Sequence, residues 1–282
     1  MLDHILFLGT PDFSVPTLAG LVDHPSVKKL SVITMPDKPR GRGKTPVPTP
    51  VKALALTRNL TVYSPESASD LTDLVQSIDP SLLIIVAYGR IIQATITDNY
   101  LCINIHSSLL PKYRGASPIH SAILAGDTTT GVTLMKINER MDAGDIILQE
   151  HCPILPSDTL GSLTQSLANL GASTCMRWLT DYAATGTLEL TPQIEVDATY
   201  TKKIEKDDLL LQAGEPALQL VKKIHAFSPK PGAYIMQGAK RLKLLSARLE
   251  DGKVVLEQVQ PEGKPPMTYH DYCLGHPEGV KL

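Results

Sequence analysis

Four apolar runs of strand length recur in the first 106 residues: ILFLG at 5–9, LSVIT at 30–34, LLIIVA at 82–87 and CINIH at 102–106. Runs this short and this continuous suit strands buried on both faces, as in a parallel sheet covered by helices. The intervening segments carry helical spacing. In SVPTLAGLV, Pro16 is tolerated near a helix start, and Val15, Leu18, Leu21 and Val22 share one face. Further helices are predicted around 51–59, 70–78 and 117–126, with a short strand at TVY. This cadence predicts an α/β fold: an open, mainly parallel, Rossmann-like sheet with helices on both faces.

After Gly131 the pattern changes. GVTLMKIN and DIILQEHCPI read as longer strands flanking ERMDAG, and a long amphipathic helix follows over 160–185. From about residue 200 the composition shifts toward Lys, Pro and Gly, with short strands at RLKLLSAR and KVVLEQV. Residues 1–199 are therefore expected to form one domain and 200–282 a small β-rich second one, a division that 282 residues allow.

A formal charge of −2 excludes a globally basic nucleic-acid binder, so any anionic partner must meet a local patch. Residues 35–50, MPDKPRGRGKTPVPTP, provide one, with five prolines and four basic residues against a single acid. So many prolines exclude a helix or a central strand and predict an exposed basic loop. On charge alone, Arg40, Arg42 and Lys44 also suit a solvated loop. GRGKT is not a phosphate-binding P-loop, because Lys38 stands where the first glycine is needed, and no GxGxxG follows the first strand. The four cysteines, Cys102, Cys152, Cys175 and Cys273, form no CxxC pair, so neither a disulfide scaffold nor a metal site is expected. A reducing cytoplasm fits them. The N-terminus lacks the basic and apolar regions of a signal peptide, and the longest apolar run, residues 82–88, is too short to span a bilayer.

The run at 102–106 ends in an unusual way, with Asn104 and His106 beside Ile103 and Ile105. Alternation along a strand puts Asn104 and His106 on one side, about 6.7 Å apart, and the two isoleucines on the other. In open α/β sheets ligands lie beyond the carboxyl ends of the strands. An amide NH₂ and an imidazole N–H there could converge on one oxygen, the usual stabiliser of a tetrahedral acyl-transfer intermediate. They could equally be satisfied polar groups at a strand end. Asp142, in the tight turn of ERMDAGDII, could orient His106, hold it protonated or relay a proton through water, or could simply be a turn residue; Asp145 is read as structural. No GxSxG or other nucleophile signature occurs, which favours direct transfer over a covalent intermediate. His120 is read as a packing residue.

These segments carry a family resemblance. NIHSSLLPKYRGASPI at 104–119, with TGVTLMKINERMDAGDI at 130–146, resembles the folate-dependent formyltransferases. FLGTPDFSVPTL, PDKPRGRGKTPVPTPVKALA and IIVAYGRII are similar to the branch acting on methionyl-tRNA; the likeness covers roughly residues 5–227, with TYTKKIEKDD and HAFSPKPGA leading into the C-terminal domain. The resemblance implies a 10-formyltetrahydrofolate donor, with no metal, and methionyl-initiator tRNA as acceptor. It implies Asn104, His106 and Asp142 as catalytic residues. Folate would lie against Ser108, Leu109, Leu110 and Pro111 and against Tyr88, Gly89, Arg90, Ile91 and Ile92. Arg40, Arg42 and Lys44 would meet tRNA. The family's C-terminal OB-like barrel is shortened here, since RLKLLSAR leads almost directly to the final segment. A cytoplasmic monomer is expected. Two other readings stay open: formylation of a small amine such as an amino-sugar nucleotide, and non-catalytic binding of RNA or folate.

Overall fold

The computed structural model describes residues 2–39, 45–212 and 214–282. Contacts divide the chain into two compact units, the first comprising residues 1–114, 131–152 and 165–199 and the second 115–130, 153–164 and 200–282. The second unit thus takes in two segments that precede residue 200.

The main sheet contains, in chain order, β1 (Ile5–Gly9), β2 (Leu30–Ile33), β3 (Thr61–Tyr63), β4 (Leu82–Val86), β5 (Cys102–His106), β6 (Thr129–Lys136) and β7 (Ile146–Pro153). Among the described residues it has seven strands in the order β7-β6-β5-β4-β1-β2-β3. Strands β2 to β5 run parallel with β1, and β6 joins β5 antiparallel, pairing His106 with Thr133. The order reverses between β1 and β4, so the crevice at their carboxyl ends is the ligand position of such sheets.

The period of two in the strands separates two apolar layers. On one face Ile5, Phe7, Leu82, Ile84, Val86, Ile103 and Ile105 meet Leu18 and Leu21 of α1 (Val15–Val22), Val51 and Ala55 of α2 (Pro50–Thr57), and the Trp178 segment. On the other, Leu6, Leu8, Leu83, Ile85 and Cys102 meet Leu71 and Val75 of α3 (Ala68–Ile78) and Ile96 of α4 (Ala94–Thr97). The helices begin where their sequences dictate. Thr49 accepts from Lys52 N–H just before Pro50, and Ser67 and Asp70 form a reciprocal cap on α3. The long helix α6 (Leu160–Thr185) approaches the sheet at Gly171, where a Cβ would come within 2.9 Å of Ile105.

The ends of the basic loop are exposed, as predicted, and Lys38–Pro39 pairs antiparallel with Pro46–Val47. Arg40, Arg42 and Lys44 lie outside the described residues.

In the second unit α5 (Pro118–Ala125) and α7 (Ala217–Phe227) accompany an antiparallel sheet of β8 (Ala233–Gln237), β9 (Lys240–Glu250), β10 (Lys253–Pro261) and β11 (Met267–Thr268), followed by α8 (Tyr269–Gly275). The strands neighbour one another in chain order. Leu220, Ile224 and Phe227 of α7 pack with Leu242, Leu244, Ala247 and Val259. RLKLLSAR and KVVLEQV are thus the two long central strands of a meander that has four strands among the described residues, against the five of an OB-fold.

Candidate active site

Because Ile103 and Ile105 occupy one apolar layer, Asn104 and His106 face the other side with Cys102. His106 is buried at 7% exposure, whereas Asn104, one step back from the strand end, is half-buried. His106 Nε2 lies 2.9 Å from the Tyr113 carbonyl oxygen. A carbonyl can only accept, so Nε2 carries the proton, and Nδ1 is the nitrogen turned toward the Asp142 carboxylate at 3.7 Å.

Asp142 arrives from the turn between β6 and β7 with φ at +49°, in the left-handed region. The turn is tied at several points. Asn138 accepts from Arg140 N–H at 3.0 Å and donates to the Ala143 carbonyl at 3.2 Å. Lys136 N–H donates to the Asp145 carbonyl at 2.9 Å, so Asp145 contributes through its backbone. Gly144 is required by space: a Cβ there would sit 1.7 Å from the Lys136 carbonyl oxygen.

The SLLP loop follows β5 directly and hangs on Thr133, the partner of His106 across the ladder. The Thr133 hydroxyl donates to the Ser108 carbonyl at 2.7 Å and accepts from Leu110 N–H at 3.1 Å. Gln149 donates to the Leu110 carbonyl at 2.8 Å and to the Thr133 hydroxyl at 2.9 Å. Ser108 is fully buried and donates to the Lys112 carbonyl at 2.6 Å, while Pro111 lends its carbonyl to Thr199 N–H at 3.2 Å. Leu109 fills the space beside Gly131, where a Cβ would meet its side chain at 2.6 Å.

The 88–92 segment leaves the end of the adjacent strand β4. Tyr88 is buried, its carbonyl accepts from Thr10, and its phenol oxygen has no partner among the described residues. Burial raises the Tyr88 phenol pKa. Gly89 has φ at +95°, Arg90 donates to the carbonyls of Pro65 and Glu66, and Ile91 is 81% exposed beside the half-buried Ile92. His120 belongs to the second unit, where its ring lies 6.0 Å from that of Phe227 and burial lowers its pKa.

His106 and Asp142 therefore meet at the end of β5, Asn104 shares the His106 side of that strand, and the 88–92 and 108–111 segments extend from the ends of the neighbouring strands β4 and β5. Tyr113, Thr133 and Gln149, which hold these parts, carried no signal in the sequence, because each acts through a backbone or hydroxyl contact that spacing does not encode. Among the described residues no group of three or more His, Cys, Asp and Glu side chains could hold a metal ion.

Residues 4–179 match the formyl transferase family and residues 203–254 its C-terminal domain. A methionyl-tRNA formyltransferase of Moorella thermoacetica is 39% identical over 302 residues, covering 97% of this chain and 96% of that one. The fold is similar to that of a methionyl-tRNA formyltransferase from Clostridium thermocellum, with a TM-score of 0.64 at 17% identity over 92% of this chain and 99% of that one. It is also similar to HypX from Aquifex aeolicus in complex with tetrahydrofolic acid, with a TM-score of 0.67 at 17% identity over 99% of this chain and 48% of the other. The chain belongs to the formyl transferase family, within its methionyl-tRNA formyltransferases.

Proposed function

We propose that the chain transfers the formyl group of 10-formyltetrahydrofolate to the free α-amine of methionyl-initiator tRNA, with Asn104, His106 and Asp142 as catalytic residues. The observation that carries this reading is the 3.7 Å approach of His106 Nδ1 to Asp142, on the same side of β5 as Asn104 and at the ligand end of the sheet.

The α-amine adds to the formyl carbon, a C–N bond forms, and negative charge collects on the formyl oxygen. Asn104 Nδ2–H donates to that oxygen. His106 spends its Nε2–H on Tyr113, so Nδ1 serves as a second donor only when it too is protonated, and Asp142 then supplies the countercharge. To Asp142 we also assign acceptance of a proton from the added amine. Collapse breaks the bond to folate N10, which takes up one proton, and atoms and charge balance without a covalent enzyme intermediate.

The 108–111 segment, with Ser108 and Leu110 buried and Leu109 and Pro111 half-buried, and the 88–92 segment are assigned to the folate. The exposed Ile91 and the buried Tyr88 phenol, whose oxygen has no partner among the described residues, give that region apolar surface and one spare polar group. Arg40, Arg42 and Lys44 are assigned to the acceptor-stem phosphates. In support, the described residues on either side of them, Lys38–Pro39 and Pro46–Val47, form a short paired stem, and Lys52 holds Asp37 beside it at 2.6 Å. The reaction belongs in the cytoplasm, where four free cysteines are at home.

The test is to incubate the protein with 10-formyltetrahydrofolate and either charged initiator tRNA or amino-sugar nucleotides. N-formylmethionyl-tRNA is the expected product. Formylation of the sugar alone, or of neither acceptor, overturns the reading.

A further inference from the structure

Arg114 is fully buried, yet its guanidinium touches no substrate position assigned above. It is bracketed by two side chains from the strand-free segment after the long helix. Nε and Nη2 donate to the Gln193 amide oxygen at 3.0 and 2.9 Å, and Nη1 and Nη2 grip the Glu195 carboxylate at 3.1–3.2 Å. The bonds to Arg114 decide the orientation of the Gln193 amide. Because Oε1 takes both donors, Nε2 must point away, and there it donates to the carbonyls of Asp142 at 2.9 Å and Gly144 at 2.7 Å. The reversed amide would set donors against donors and acceptor against acceptors in all four contacts.

The same segment also reaches His106. Thr199 accepts from Tyr113 N–H through its hydroxyl at 2.8 Å and from Arg114 N–H through its carbonyl at 2.8 Å. Tyr113 in turn offers the carbonyl that fixes His106 Nε2. One stretch of chain, residues 193–199, therefore secures both the turn of Asp142 and the tautomer of His106. Its Glu195 is held a second time by Arg140 at 2.6 Å, inside the Asp142 turn itself.

We infer that Gln193, oriented by the buried Arg114, is a positioning residue that holds Asp142 in its left-handed conformation against His106. This rests on the catalytic reading of Asp142 given above. A left-handed non-glycine residue is intrinsically disfavoured and persists only where its surroundings over-determine it. Two hydrogen bonds on carbonyls flanking Ala143 supply that determination.

The experiment is a double-mutant cycle on the full chain. Gln193→Met keeps the volume and removes all four amide contacts. Its kcat should fall about tenfold to hundredfold, the range expected for a displaced catalytic group, with KM for folate and for tRNA within about twofold of the parent. Placed on an Asp142→Ala background, the same substitution should change kcat by less than about twofold, because the group through which Gln193 acts is already gone. An equal fall in both backgrounds, a loss carried by KM, or an unchanged kcat in Gln193→Met overturns the inference. Gln193→Glu is a second probe if Gln193→Met does not fold. It keeps the acceptor for Arg114 but presents a carboxylate to the two carbonyls, so its kcat relative to the parent should rise toward acid pH as that carboxyl protonates and donates. A ratio independent of pH also counts against the inference. Failure of the catalytic reading shows separately, as a normal kcat in Asp142→Ala alone.

Discussion

Gly144→Ala adds one methyl group where the backbone leaves no room for it. The new Cβ would stand 1.7 Å from the Lys136 carbonyl oxygen and 2.9 Å from its carbon, below the 3.0 Å that real Cβ atoms observe. Relief needs about 1.3 Å of opening, and both sides of the clash are main chain, so no side-chain rotation supplies it. The turn is also bonded in place, through Lys136 N–H on Asp145 at 2.9 Å and Gln193 on the Gly144 carbonyl at 2.7 Å. Any movement that opens the clash strains or breaks these bonds and carries Asp142, two residues earlier, away from His106. A displacement of about 1 Å at a catalytic group costs about a hundredfold in rate, equivalent to about 2.7 kcal/mol of barrier. Two weakened hydrogen bonds cost about 1 kcal/mol each in stability, so the melting temperature should fall by several degrees at most. The assay is kcat for formylation of methionyl-tRNA with both substrates saturating, beside a thermal melt. A folded Gly144→Ala protein whose kcat stays within about threefold of the parent would show that the turn does not deliver Asp142 to the reaction.

Other consequences follow from the same structure. Asn104→Ala should leave folate binding intact and lower kcat by about 10²–10³, the cost of one oxyanion donor; near-normal turnover removes it from the mechanism. Arg42→Ala should raise KM for tRNA and reduce the slope of log affinity against log salt by about one, and an unchanged slope means the loop is merely solvated. Burial lowers the pKa of His225, whose Nε2–H donates to the Ala247 carbonyl at 2.8 Å. Its folded pKa therefore lies below the unfolded value of about 6.5, and the unfolded chain binds the extra proton. The stability contributed by neutral His225 should be fully present above that value and decline as pH falls through the folded pKa. Melting temperatures at pH 7 and pH 5 should show this loss in the parent and a smaller one in His225→Gln; equal losses would assign it to other groups.

The alternation in CINIH was enough to place Asn104 and His106 on one side and the two isoleucines on the other, because a strand has no choice but to alternate. The glycine of DAGD marked a turn, and the structure gives its reason in the Lys136 carbonyl. The second unit was less accessible. RLKLLSAR and KVVLEQV were recognisable as strands, but nothing in residues 115–130 or 153–164 signalled that they would join residues 200–282 in one compact unit. Arg114 reads in sequence as an ordinary loop cation between Tyr113 and Gly115, and only its partners nearly eighty residues later account for its burial.

Local chemistry, then, is what the amino-acid order determined: which segments are strands, which faces are apolar, where a turn must admit glycine, and the family to which the motifs point. Those properties depend on neighbours a few residues away. Tertiary structure alone decided that Asp142 would meet His106, that Tyr113 would claim Nε2, and that Gln193 would hold the intervening turn. Such contacts join residues separated by as many as 51 positions, and hydrogen bonds between them exist only once the sheet order has brought those segments together.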